Sequence, residues 1–179
     1  MNSYVALLRG INVGGNNILP MKDFRDLLAA LGCEDVATYI QSGNAVFKHD
    51  SDSASLSGSI TAAIASSCGF EPSVVVLSAA EFSAVVAKCP FEREAIEPKF
   101  LHAWFLREAA TAVNTERLNA LASGGEKFVL TDSAFYLHAP NGIGRSKLGG
   151  QVEKCLGVLA TARNWRTISK IAEMLSKLD

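Results

Sequence analysis

Hydrophobic positions along this chain recur on two periods, and each change of period marks a new element. Residues 3–9, SYVALLR, form an aliphatic and aromatic run that predicts a strand. A glycine- and asparagine-rich loop, RGINVGGNN from Arg9 to Asn17, follows it. Pro20 then opens a helix at its first turn, because Met21, Phe24, Leu27, Leu28 and Leu31 recur at helical spacing and Gly32 is placed to end it with a left-handed cap. VATYIQ and AVFKH flank Ser42-Gly43-Asn44 as a hairpin. Leu56, Ile60 and Ile64 mark a second helix and SVVVLS a last strand, so the order is β-α-β-β-α-β.

The pattern then starts again. Ser78-Ala79-Ala80-Glu81 has the form of a capping box and predicts a linking helix that Cys89-Pro90 stops. Beyond the charged stretch FEREAIEPK, FLHAWFLR predicts a strand, Asn114 to Ala122 a short helix, and KFVLTDSAFYLHA a hairpin around Asp132-Ser133. Ser146 to Leu156 reads as a helix, VLATA as a strand, and Ile168, Ile171, Leu175 and Leu178 lie on one face of a terminal helix. The fold class expected is α+β, two tandem ferredoxin-like (β-α-β-β-α-β) units plus a linking helix and a C-terminal helix. The boundaries expected are 1–78 for the first unit, 79–99 for the linker and 100–179 for the second unit with its helix, the two units packed as one body.

Several strands do not alternate: Val74, Val75, Val76 and Leu77 run together, and Tyr4, Ala6 and Leu8 interleave with Val5 and Leu7. A sheet with one wet face would alternate, so both faces are expected to be covered, by other parts of the chain or by a second copy in a homodimer. Composition narrows the partners further. The chain is 49% apolar and 20% charged, as globular proteins are, and its net charge of −1 draws it to neither nucleic acid nor an anionic membrane. The first residues read as a strand rather than a signal peptide, and no apolar run reaches membrane-spanning length. Cys33, Cys68, Cys89 and Cys155 are scattered, with no C-x-x-C and no histidine cluster nearby, which suits reduced thiols in a cytoplasmic protein and argues against a metal site or a disulfide frame.

Two polar rims follow from this order. The first strand ends at the same sheet edge as the hairpin turn, so Arg9, Asn12, Gly14, Gly15 and Asn16 should lie beside Gln41, Ser42, Gly43 and Asn44. In the second half, Asn141, Gly142, Gly144, Arg145, Ser146 and Lys147 follow the third strand, and Arg163 and Asn164 follow the fourth, at one edge and ahead of helices. Glycines admit an anion to the backbone, helix starts offer N–H groups, and the cations add charge, so this is the better anion site of the two. Each segment has a plainer reading. RGINVGGNN lacks the G-K-[ST] of a P-loop and the spacing of the dinucleotide fingerprint, and is also what a turn with positive φ would look like. Gln41 to Asn44 suits hairpin chemistry, Ser146 suits a helix cap, and Trp165 suits a core anchor.

RGINVGGNN with Pro20-Met21, then YIQSGN, NGIGRSKL and TARNW, in this order across essentially the whole chain, resembles the uncharacterised, mainly bacterial family known as domain of unknown function 1697. The resemblance implies a pair of α+β units in one chain and implies no substrate or activity. In that family a basic residue often follows the asparagine that stands here as Asn17, whereas this chain has Ile18.

The four segments contain no Asp, Glu, His or Cys, and His49, His102 and His138 stand in no ligand motif, so the chain leans away from an enzyme and needs no cofactor. Their donors suit a phosphate or carboxylate, with asparagine and glutamine able to read a base or sugar edge. The leading expectation is a binding protein for a small phosphorylated or nucleotide-like ligand held between the two halves. Single-stranded RNA or DNA binding, with Phe100, Trp104 and Tyr136 as stacking platforms, is the second reading, and a non-catalytic protein-interaction module is the third.

Overall fold

The first apolar run becomes β1, Asn2–Arg9, in the computed structural model, which describes residues 1–178. It sits inside a sheet with β2 (Glu34–Tyr39), β3 (Asn44–His49) and β4 (Ser73–Ser78), in the order β2-β3-β1-β4 with every neighbouring pair antiparallel. Two helices connect these strands, α1 (Met21–Ala30) and α2 (Ser53–Cys68). Asp52 starts α2 by accepting the Ser55 N–H at 2.9 Å, and Gly69 ends it at φ +77°.

Side chains alternate across a strand, so β1 presents Tyr4, Ala6 and Leu8 to one side. These pack with Ala45, Phe47, Val74 and Val76 against Phe24, Leu28, Leu56, Ile60 and Ile64 in one apolar core. Val5, Leu7, Val46 and Val75 on the opposite face are buried as well. The unbroken apolar runs are therefore strands covered on both faces, as their lack of alternation implies. Each large side chain removed from water in this way contributes roughly 1.5–3 kcal/mol.

The linking helix α3, Ala79–Ala87, begins at a reciprocal capping box: the Ser78 N–H donates to Glu81 Oε2 at 2.7 Å, and the Glu81 N–H to Ser78 Oγ at 3.2 Å. The second sheet holds β5 (Leu101–Leu106), β6 (Lys127–Leu130), β7 (Ala134–His138) and β8 (Ala160–Asn164) in the order β6-β7-β5-β8, again antiparallel throughout. Its helices are α4 (Thr115–Leu121) and the short α5 (Val152–Leu156). The last helix, α6 (Trp165–Leu175), starts directly at the end of β8.

Two elements differ from their sequence reading. The helix expected over Ser146–Leu156 is instead a 3-10 turn at Ile143–Arg145, another at Gly149–Gln151, and then α5. Adjacent Gly149 and Gly150 weaken a helix there, and a Cβ on Gly149 would lie 2.5 Å from Ile143 Cδ1. The last strand runs two residues beyond VLATA, since β8 continues pairing through Arg163 and Asn164, the latter opposite His102.

The chain divides into two compact units, Met1–Ala84 with Ser169–Asp179, and Val85–Ile168. The first division falls inside α3 rather than on either side of a linker, and the end of α6 counts with the first unit rather than the second.

Candidate functional site

The first rim is closed by Asn12. Its Nδ2 donates to Leu19 O at 2.9 Å and to Gln41 O at 2.8 Å, and its Oδ1 accepts the Leu19 N–H at 2.8 Å. The Leu8 N–H donates to Gly43 O at 2.8 Å. The loop after β1 and the turn before β3 are thus one joined piece of backbone, as the strand order requires. Val13 and Asn16 bridge across Gly14 and Gly15, which have φ of +58° and +76°, the two left-handed residues of a tight type I′ hairpin. Asn17 Nδ2 donates to Gly10 O at 2.8 Å, and Asn44 Nδ2 to Tyr39 O and Ser42 Oγ.

These bonds change the role of several site residues. Asn12 and Asn44 turn their amides onto neighbouring chain, and Asn44 and Gly43 are buried. Gly43 has φ +79°, and a Cβ there would stand 2.6 Å from Leu8 Cβ, so glycine is needed for packing. The Asn16 side chain makes a long contact, Nδ2 to Gly14 O at 3.5 Å. Arg9, Gly14, Gly15, Asn16, Gln41 and Ser42 remain at the surface.

The same rim carries apolar side chains that the motif reading passed over. Val13 is 67% exposed, Ile18 57% and Ile40 50%. Ile40 also has φ +47°, a left-handed conformation that a β-branched residue rarely adopts. The sequence signal available for it was its place just before Gln41-Ser42-Gly43 in a tight turn.

In the second unit β7 and β8 flank β5 and run parallel to each other, with His138 opposite Leu101 and Asn164 opposite His102. The segments after β7 and at the end of β8 therefore meet the same sheet edge. Asn141 Nδ2 donates to Gly124 O at 3.0 Å, tying the loop to the α4–β6 connection. Gly142 has φ +87°, and no atom lies within 4 Å of where a Cβ would stand on Gly142 or Gly144. Ser146 Oγ accepts the Gly149 N–H at 2.8 Å. Arg145 and Lys147 are exposed and make no ion pair or side-chain hydrogen bond among the described residues. The chain has no acidic residue between Asp132 and Glu153 to neutralise them.

Arg163 and Asn164 do not join that exposed cluster. Arg163 lies buried on β8 with Nη1 donating to Ala162 O at 2.7 Å, and burial pushes its guanidinium down to about 10. Asn164 accepts the Thr167 N–H on Oδ1 at 2.9 Å, which makes it the cap of α6. Trp104 and Tyr136 are buried, and the Tyr136 hydroxyl donates to Val85 O at 2.7 Å, so neither ring offers a face to a base. Trp165 is an anchor with the Arg93 guanidinium 5.6 Å from its ring centre.

Other reactive groups are inert by burial. Cys33 is pushed up to about 11, and His102 down to about 4, in both cases mainly because the charged form would be desolvated. His102 Nδ1 and Thr161 Oγ1 are buried and make no hydrogen bond among the described residues. No group of three or more His, Cys, Asp or Glu among the described residues could hold a metal ion, and no helix among them is long and apolar enough to cross a membrane.

The family model described as Protein of unknown function (DUF1697) matches residues 1–136. Among solved structures, the conserved bacterial protein SP0830 from Streptococcus pneumoniae is similar at a TM-score of 0.69 and 26% identity, over 97% of this chain and 98% of that one. No curated protein matches. The first two of the four motifs fall inside the residues matched by the family model, and NGIGRSKL and TARNW fall beyond them.

Proposed function

The chain belongs to the DUF1697 family of proteins of unknown function, and from that premise we propose that it binds a small phosphorylated or nucleotide-like ligand at Gly142–Lys147. The observation that carries this reading is the pair of exposed cations, Arg145 and Lys147, left without acidic partners beside two glycines whose open side gives a phosphate access to the backbone. By contrast, Lys22, Lys48, Lys99, Lys170 and Lys177 all sit within 3.1 Å of a carboxylate. Binding without catalysis fits the donors at hand, because the segment offers cations, hydroxyl and amide but no general base. The shared strand order of the two sheets supports a tandem ferredoxin-like reading of the fold, and four unpaired cysteines support a cytoplasmic setting.

Thermal unfolding against a panel of nucleotides, sugar phosphates and inorganic phosphate tests the site. A ligand at 100 times its Kd stabilises the fold by about 2.7 kcal/mol. Because a hydrogen bond to a charged group contributes about 1.5–3 kcal/mol, Arg145→Ala should weaken that ligand roughly tenfold or more. A stabilising compound whose affinity ignores both Arg145→Ala and Lys147→Ala would rule the placement out.

A protein-interaction role is the second reading, and the first rim favours it. Val13, Ile18 and Ile40 surround the backbone knot tied by Asn12, and they are three of the five exposed large apolar side chains among the described residues. If no compound in the panel shifts unfolding, this reading gains at the expense of the first.

A further inference from the structure

We infer that Asn141-Gly142 is a self-modifying switch for the anion site: deamidation at Asn141 creates a carboxylate that turns onto Arg145 and Lys147 as an internal counter-ion. It is the one Asn-Gly pair in the sequence, and the asparagine is exposed to water. Asparagine is vulnerable ahead of glycine because the next backbone nitrogen can attack the side-chain carbonyl carbon with no Cβ in the way. The Gly142 nitrogen gives up its proton and bonds to Asn141 Cγ, ammonia leaves, and a cyclic succinimide forms. Water, the one co-reactant, then opens either carbonyl of the ring and leaves aspartate or isoaspartate in place of the amide.

Two hydrogen bonds hold the intact residue back. Ala139-Pro140-Asn141-Gly142 is a turn closed by the Gly142 N–H on Ala139 O at 2.9 Å, which occupies the attacking nitrogen, and proline suits its second position. Asn141 Nδ2 donates to Gly124 O at 3.0 Å. Gly124 is seated so closely that a Cβ there would stand 2.7 Å from that nitrogen. The reaction therefore proceeds in the fraction of time that the turn is locally open, and is slow in the folded chain.

The product has no donor for Gly124 O. Oxygen then faces oxygen, and the side chain leaves a contact that needs an amide N–H. Arg145 is close along the chain: its N–H donates to Gly142 O at 3.2 Å, so its backbone lies one turn from the new carboxylate. Arg145 and Lys147 are exposed, and the sequence holds no acid between Asp132 and Glu153, so deamidation supplies the only acidic side chain of that stretch. The consequence for a ligand rests on the anion-binding reading above; the deamidation and the counter-ion do not.

Peptide mass mapping of the full-length protein, aged at mildly alkaline pH, reads the chemistry. Exchange of NH2 for OH, with isoaspartate among the products, should accumulate at Asn141 ahead of every other asparagine. In Asn141→Asp, NMR should find the introduced carboxyl titrating below the ordinary aspartate value of about 3.9, and returning to it when Arg145→Ala and Lys147→Ala are added. Inorganic phosphate should bind Asn141→Asp and the aged protein about threefold or more weakly than fresh protein. Asn141→Gln, whose longer side chain does not close the succinimide ring, should lose no affinity on ageing. Asn141 left intact while other asparagines deamidate, or an introduced carboxyl indifferent to both cations, would overturn the switch. So would equal phosphate affinity in Asn141→Asp and the fresh chain. Phosphate that binds neither would count against the anion-binding reading alone, since mapping and titration still decide the switch.

Discussion

Two glycines in the first rim separate conformational freedom from space. Gly14 and Gly43 both have positive φ, at +58° and +79°. Around Gly14 an added Cβ meets only Asn16 Nδ2 at 4.0 Å, while at Gly43 it would stand 2.6 Å from Leu8 Cβ and 2.8 Å from Ile11 Cδ1. Gly14→Ala should therefore cost only the left-handed strain, about 1–2 kcal/mol. Gly43→Ala adds overpacking of a buried neighbour and should lose about 2–5 kcal/mol in all. Urea denaturation of the two variants checks this, and equal losses would mean that Leu8 and Ile11 yield freely. At this scale the sequence was readable as chemistry but not as direction. RGINVGGNN and QSGN announced glycine turns and amide donors, yet nothing in the letters says that Asn12 spends its amide on Leu19 and Gln41. A side chain's partner depends on which backbone arrives beside it, and that is decided by strand pairing far along the chain.

Elements were more legible because their signals are local and periodic. The capping box at Ser78-Glu81 and the left-handed Gly32 after α1 both formed where the residues indicated. The failures share one cause, competition from pairing or packing. Arg163-Asn164, just past VLATA, has polar, loop-like composition, but β5 lies beside it and its backbone completes the ladder, which draws Arg163 into the interior. That placement turns Asn164 from a ligand donor into the residue that starts α6. Asn164→Ala should then destabilise by about 1 kcal/mol and Asn164→Ser by much less, with binding at Gly142–Lys147 unchanged once stability is accounted for. Chemical denaturation alongside the ligand titration checks both halves. A large loss of affinity at constant stability would return Asn164 to the binding site.

For the whole molecule, the number and order of strands followed from the apolar pattern, and so did the burial of both sheet faces, because a strand without alternation has no wet side. What the pattern could not assign was the cost of a polar group set inside such a strand. His102 lies on β5 between Asn164 and Leu137, with Trp104 6.2 Å away, and is only 5% exposed. Burial lowers its pKa from 6.5 to about 4, and the backbone bond involving Phe100 opposes this only in part. The sign follows from linkage. Below pH 6.5 the unfolded chain takes up a proton at this residue that the folded chain refuses, so the unfolded state gains. Stability from this group is complete above pH 6.5, declines as the pH falls towards about 4, and levels off below it. The total is about 3 kcal/mol, because each tenfold loss of proton affinity on folding is worth roughly 1.4 kcal/mol. Denaturation midpoints measured through that window should slope in the natural chain and flatten in His102→Phe, which keeps the volume and removes the titration. An unchanged slope in the variant would assign the acid sensitivity to other groups and would show that His102 is protonated inside the fold, with a partner for its second nitrogen.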